Sequence, residues 1–437
     1  MPKSVFLHRS LDSAMDATSN VAILQRNALL SCLPERRPDG PVRASTCYVW
    51  PTSDCPVGCS HCNFAAPPQS SALGRYRIAD HLPEVLQVVN GMHLWKAVLS
   101  GGGEPMVEPE FCRAFIQGVD SPCLEEIELI TSGQFASSDR AADEQLDQLI
   151  GAWRARPGRL HPAELCIRLS LDWFHARRIG IEPAVRIVHA LGQSQRSDVT
   201  CYVRSVLLEN DTTIEEFAAA LGGQLGPVSD YQRDLALPDG RHILIYYKNL
   251  IFDGRMTRRR MSNLPVKMHS DSHVSAFGER FRRADGRHVP ARVYNGPEVR
   301  QLDGLACVVE DDGAIKILEG NDPNRYPKLS SFGSWEAVIR YLYADPLTGY
   351  LVNHGPEGLA GLISDEYPEA VTHVTDTNQL YYLVDRILAD PVTALYATLK
   401  TIQSQGDARP GTVREEAALR ESWDVWRSLR QERAAAS

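Results

Sequence analysis

At 437 residues the chain is long enough for one large α/β domain and an appended one, each with its own core. Its 46 Lys and Arg stand against 55 Asp and Glu, a formal net charge of −9, which argues against wholesale electrostatic capture of nucleic acid. Its apolar runs are too short for a membrane helix, its N-terminal stretch lacks the apolar core of a signal peptide, and ten Cys fit a reducing cytoplasm and a metal centre better than a disulfide framework.

Residues 16–33 carry Val21, Leu24, Ala28 and Leu29 at helical spacing, and Pro34 stops that helix. The following segment reads as a linker, so residues 1–44 form an N-terminal helix and linker. From residue 45 β-rich runs alternate with helical runs. The expected strands are 45–51, 94–100, 125–131, 164–171, 199–208 and 241–247. Helices are expected at 80–90 with Asp80 as cap, near 139–154, and at 212–222 with a Thr212/Glu215 capping box. Six successive βα units of this kind suit a parallel sheet.

After about residue 255 the rhythm changes. Arg255 and Arg258–Arg260 form a basic run, read as a solvated stretch or an anion site. Residues 290–320 suggest short strands with turns at Asn295-Gly296 and Asp312-Gly313. Helices are expected at 334–344, 378–389 and 412–433, the last with Leu419, Trp423 and Trp426 on one core-facing stripe.

Two motifs carry chemistry. Cys55, Cys59 and Cys62 follow the first strand in a C-x3-C-x2-C spacing, and no Cys follows until Cys112. Three thiolates this close can converge on one soft metal centre. Structural zinc and ordinary [4Fe–4S] sites take four protein ligands, so three thiolates leave one iron open to a ligand that is not protein. The second motif, Leu99-Ser100-Gly101-Gly102-Gly103-Glu104-Pro105, ends the second strand. Its glycines let backbone approach a ligand closely.

In this order and spacing the two motifs resemble those of the radical S-adenosylmethionine (SAM) superfamily. The resemblance spans roughly residues 45–250. It implies an α/β fold, a partial (β/α)6 TIM-type barrel over 45–255, with an α+β extension over 256–437. It also implies one [4Fe–4S] cluster on the three Cys, whose open iron is chelated by the amine and carboxylate of SAM. The reduced cluster then cleaves SAM to a 5'-deoxyadenosyl radical that abstracts hydrogen from substrate. An external electron donor such as flavodoxin or ferredoxin follows from that chemistry. In such barrels the site lies at the C-terminal strand ends.

Further positions are carried over one at a time. Gly101, Gly102, Gly103 and Glu104 would seat SAM. Thr131-Ser132-Gly133 stands where relatives carry Thr-Asn-Gly, so the Ser132 hydroxyl would make the polar contact. Ser170-Leu171-Asp172 resembles a Ser-x-Asp pattern, with Ser170 on SAM and Asp172 facing SAM or substrate. Arg204 is a candidate for the SAM carboxylate, and His175 for moving protons at the cavity mouth. His61 stands before the last thiolate, where relatives place an aromatic.

Gly254-Arg255, Cys307 and Asp312-Gly313 resemble the start of a SPASM or twitch domain, degenerate because no Cys follows Cys307. Cys307 is a candidate hydrogen-atom donor. The expected substrate is a small molecule, in natural-product biosynthesis. Modification of a ribosomally made peptide and a non-catalytic iron–sulfur or redox-sensing protein are the alternatives. RNA modification is disfavoured by charge.

Overall fold

A computed structural model describes residues 17–35, 42, 44–62, 64, 76–156, 163–193, 196–229, 231–248, 250, 258–268, 305–317, 326–368, 388–404 and 412–436. In chain order the strands are β1 (Ala44–Val49), β2 (Lys96–Leu99), β3 (Glu126–Thr131), β4 (Glu164–Ser170), β5 (Thr200–Val206), β6 (Leu208–Glu209), β7 (Gln224–Leu225), β8 (Gln232–Ala236), β9 (His242–Lys248), β10 (Lys267–Met268), β11 (Leu305–Val309) and β12 (Ile315–Ile317). Ten of them form one open, mostly parallel sheet in the order β12-β11-β1-β2-β3-β4-β5-β9-β8-β7. All six expected strands are present, and β1-β2-β3-β4-β5-β9 are parallel neighbours in chain order.

Strand alternation sorts the sheet's two faces. Cys47, Ala97, Leu99, Ile127, Leu129, Ile167, Val203 and Ile245 lie in one buried apolar cluster with residues of the covering helices. These helices are α2 (Leu82–Gly91), α3 (Pro109–Gly118), α4 (Asp139–Arg154), α6 (Glu182–Leu191) and α7 (Thr213–Ala220), with the short α5 (Trp173–Ile179) leading out of β4. In α4, Ala142, Leu146, Leu149 and Ile150 are buried at helical spacing, and Ser138 caps the first turn by accepting from Ala141 N at 3.2 Å.

Two expected caps are replaced. Asp80 ends a separate 3-10 turn, and α2 starts instead on Leu82 and Pro83. Thr212 makes no cap; its hydroxyl bonds to the Glu216 carboxylate at 2.5 Å, and Asp211 accepts from Thr213 N at 2.9 Å.

The remaining helices are α1 (Ala17–Cys32), α8 (Arg258–Ser262), α9 (Trp335–Tyr343), α10 (Pro346–Ile363), α11 (Pro391–Ser404) and α12 (Val413–Ala436). The expected 378–389 helix, the Asn295-Gly296 turn and Arg255 lie outside the described residues. The packing divides the chain differently from the three sequence blocks. Ala22 and Leu29 of α1 join a second buried cluster with Leu351, Leu395, Leu399 and Trp426 of α10, α11 and α12. Meanwhile β11 pairs in parallel with the outer edge of β1, and β12 turns back on it through Gly313 at φ 78°. The stretch after residue 255 therefore supplies both a sheet edge and most of a helical unit. Among the described residues no helix is long and apolar enough to cross a membrane.

Arg26 ties that helical unit together. It is 3% exposed, donates from Nε to Thr398 Oγ1 at 2.7 Å and pairs with the buried Asp345, which itself accepts from Leu347 N at the start of α10. Arg26→Ala leaves Asp345 buried without its cation, and such a break costs roughly 3–5 kcal/mol. Urea unfolding should show a loss of that size; a loss below about 1 kcal/mol would mean the pair behaves as a surface ion pair.

Candidate cofactor site

All six parallel strands end on the same side, and the expected site residues gather there. The thiol loop follows β1, the glycine run follows β2, Thr131-Ser132 closes β3, and Asp172 follows β4. The first two loops run backbone to backbone. Gly103 N donates to Thr52 O at 3.1 Å, and Glu104 N donates to Asp54 O at 2.8 Å. A Cβ on Gly103 would meet Asp54 O at 2.2 Å, so only glycine permits this approach.

Glu104 turns inward, away from the loop. Its buried carboxylate accepts from Thr131 Oγ1 at 2.6 Å, Ser132 N at 2.8 Å, Ser132 Oγ at 2.7 Å and Met106 N at 3.3 Å. It thus clamps the end of β3 to the end of β2 with charge-assisted bonds. The Ser132 hydroxyl proton is committed to this clamp, so its oxygen is left as an acceptor toward a ligand.

The three thiols share one pocket. Cys59 is buried with Val57, Phe174, Val206, Leu250 and Met261, and Cys55 and Cys62 pack against the same group. None is in a disulfide, and burial pushes the Cys55 thiol up. Among the described residues, sets of three ligand atoms within 4.8 Å of one another occur at His61–Asp172–His175 and at Glu126–Glu128–Cys166, not at the thiols. Thiolates on a single zinc would stand only about 3.8 Å apart. One ring nitrogen of His61, the residue before Cys62, is a buried polar atom without a hydrogen-bond partner among the described residues, and an imidazole N–H there could donate to a cluster sulfur. Soft thiols, close backbone and an unpaired imidazole nitrogen together fit a bound iron–sulfur group.

The turn from β4 into α5 grips this loop from below. Asp172, 1% exposed, caps α5 by accepting from Phe174 N at 2.9 Å and His175 N at 3.1 Å. Its oxygens also pair with His175 Nδ1 at 2.9 Å and His61 Nε2 at 3.4 Å. Burial alone would raise the Asp172 carboxyl, but the imidazoles of His175 and His61 outweigh it and hold it well below the usual range. Burial lowers His61, whereas in His175 the Asp172 charge overcomes burial and pushes the imidazole up. His61 stacks on Phe174 with ring centres 4.4 Å apart, and Arg178 Nε donates to Val57 O at 2.9 Å. Asp172, expected to face SAM or substrate, and His175, expected to move protons at the cavity mouth, are here paired with each other and, through Asp172, with His61 of the thiol loop.

The sheet face opposite the helices carries Lys96, Glu126, Glu128, Arg168, Tyr202, Arg204 and Lys248. Lys96 contacts Glu126 at 2.6 Å and Glu128 at 3.0 Å, Arg168 contacts Glu128 at 3.5 Å, and Tyr202 donates to Glu128. Two cations thus neutralise the two carboxylates of the Glu126–Glu128–Cys166 set. Ser170 and Arg204 are register partners on β4 and β5, so the structure brings these two expected residues together.

Cys307 is the clearest correction. It is fully buried in β11 opposite Cys47 and lies in the apolar cluster under the helices. Alternation puts it on the sheet face away from Arg204 and Ser170, out of reach of a substrate radical. The C-terminal region instead reaches the site through Asp311, whose Oδ2 accepts from Ser53 N at 3.1 Å. Sequence reasoning also passed over Lys248, last residue of β9. Its alternation with Leu244 and Tyr246 was the available signal.

No family model matches the chain, and no curated protein matches it. Among solved structures, one described as "Native anSMEcpe with bound AdoMet" aligns at 12% identity over 80% of this chain and 99% of its own, with a TM-score of 0.40. A second, "Native anSMEcpe with bound AdoMet and Cp18Cys peptide", aligns at 12% identity over 80% of this chain and 98% of its own, with a TM-score of 0.38. Likenesses this loose carry no argument about the site.

Proposed function

We infer that the chain is a radical SAM enzyme acting on a small-molecule substrate in natural-product biosynthesis. One observation carries the reading: the three-thiol loop and the glycine run, two motifs of one chemistry, are zipped together at the ends of neighbouring parallel strands. Cys55, Cys59 and Cys62 would hold one [4Fe–4S] cluster, and the backbone of Gly101–Gly103 would seat SAM beside it. When bound and reduced, by a donor of flavodoxin or ferredoxin type, that cluster supplies reductive cleavage of SAM and a 5'-deoxyadenosyl radical able to abstract hydrogen from an unactivated C–H bond.

The chain's own contributions are positional. Glu104 fixes the ends of β2 and β3 relative to each other. Asp172 and Arg178 hold the thiol loop against α5. Val57, Phe174, Leu250 and Met261 wall the thiols with apolar surface, which keeps water from a radical.

Anaerobic reconstitution with iron and sulfide, then dithionite and SAM, tests the reading. Wild type should hold about four irons per chain and release 5'-deoxyadenosine, and Cys59→Ala should do neither. A stable cluster without SAM cleavage would move the protein to the redox-sensing class. Zinc in place of iron would remove the reading altogether.

A further inference from the structure

The edge strands β11 and β12 carry two charges on the sheet face opposite the helices. Cys307, Val309, Ile315 and Ile317 lie in the cluster under the helices, so alternation turns Val308, Glu310, Ala314 and Lys316 to the other face. That is the face of Tyr48, which pairs with Val308 and feels the charges of Arg168, Glu128, Lys96 and Arg204. Trp50 N donates to Val309 O at 2.9 Å, which sets Glu310 beside Trp50. A Cβ on Gly102 would meet the Trp50 ring at 3.4 Å. Glu310 therefore stands next to the residue that covers the glycine run.

Glu310 and Lys316 are diagonal neighbours across the β11–β12 ladder, since Val308 opposes Lys316 and Glu310 N donates to Ala314 O at 2.8 Å. Residues so placed stand roughly 7–8 Å apart. Both side chains are half-buried. Each feels the other's charge, yet no hydrogen bond joins them, and the Glu310 carboxylate accepts none from any other described residue. Burial raises Glu310 to about 7; Asp312 and Asp311 of the following turn add to this, while Lys316 and Lys328 oppose it. Burial lowers Lys316 to about 8 against the pull of Glu310. Two opposite charges that are desolvated and kept out of contact present separate ends to one ligand.

We propose that Glu310 and Lys316 form a subsite for an α-amino-acid head group on the substrate, Glu310 taking the ammonium and Lys316 the carboxylate. A ligand of this class answers both charges at once, with a charge-assisted bond at each end. A simple amine would be repelled by Lys316, and a simple acid by Glu310. This rests on the reading in the preceding subsection, in which the amine and carboxylate of SAM itself are held by the open iron. It narrows the small molecule to an amino acid, or to a compound that keeps a free amino-acid end.

The experiment uses the full-length reconstituted protein, unreduced and saturated with SAM so that the open iron is occupied. L-Alanine is titrated calorimetrically beside ethylamine, which lacks the carboxylate, and propionate, which lacks the ammonium. L-Alanine should bind about tenfold tighter than either, the scale of one added charge-assisted bond. Glu310→Gln and Lys316→Gln should each weaken alanine about tenfold. Glu310→Gln should leave propionate no weaker, and Lys316→Gln should leave ethylamine no weaker. In wild type, alanine binding should fade as pH falls through about 7, where Glu310 takes up its proton, and Glu310→Gln should lose that dependence. Arg140→Gln, at an exposed helix position, controls for net charge. Alanine affinity unchanged in both glutamine variants, or no tighter than that of the two single-charge probes, overturns the subsite. A loss that appears in SAM affinity by equilibrium dialysis and not in alanine affinity assigns the pair to SAM and overturns it as well. Alanine bound through the pair by protein that releases no 5'-deoxyadenosine on reduction keeps the subsite and removes the radical reading. SAM cleavage with alanine binding indifferent to both variants does the reverse.

Discussion

Gly103→Ala should lose the iron–sulfur group and about 2–4 kcal/mol of stability, the sum of an overpacked contact and two weakened backbone bonds. The added methyl would sit 2.2 Å from Asp54 O and 2.6 Å from Ser53 C. Both are backbone atoms of the thiol loop, so no rotamer change can relieve the clash. The loops must separate, and separation breaks Gly103 N to Thr52 O and Glu104 N to Asp54 O, the bonds that fix where Cys55 begins. Iron per chain after reconstitution and gel filtration reads the functional loss, and thermal unfolding reads the stability. Gly151→Ala is the contrast: a Cβ there meets nothing within 4 Å, and in the last turn of α4 it should add up to about 0.5–1 kcal/mol. A Gly103→Ala protein with wild-type iron and melting temperature would show that the two loops are not held face to face.

The six parallel strands were legible because each is a short apolar or β-branched run, as in Glu126–Thr131 and His242–Lys248. Spacing likewise exposed Cys55, Cys59, Cys62 and Gly101–Gly103, since closely spaced thiols and glycines have few other uses. What was not legible depends on long-range choices. Nothing local in Leu305–Val309 says that it will lie beside β1, and the distant pairing of Cys307 with Cys47 removed Cys307 from the site. Helix α1 offers the same lesson: Leu24, placed on the apolar stripe by its spacing, is exposed, and the buried side carries Arg26 against Asp345 and Thr398. Hydrogen-bond commitments were equally hidden. Ser132 looked free in sequence because its partner, Glu104, comes from another strand end. Lys248 is the converse, since alternation alone puts it on the face of Tyr246 and the expected strand stopped one residue short of it.

Asp172 gives the second large effect. Its four contacts serve three ends at once: the first turn of α5, the ring of His61 beside Cys62, and the ring of His175. Asn keeps the cap, because an amide oxygen can still accept from Phe174 N and His175 N. It loses the charge that holds His175 in its raised state, and breaking such a buried pairing costs roughly 3–5 kcal/mol. Ala removes the cap as well and should cost about 1 kcal/mol more. Denaturant titration of wild type, Asp172→Asn and Asp172→Ala separates the two contributions. Iron retention then tells whether the clamp matters to the cofactor. If His61 and His175 position the thiol loop through Asp172, both variants release iron faster than wild type in the presence of chelator. Were Asp172 a substrate-facing acid instead, Asp172→Asn would keep wild-type stability and iron and lose only turnover, so the same pair of proteins separates a residue that holds the site from one that acts in it.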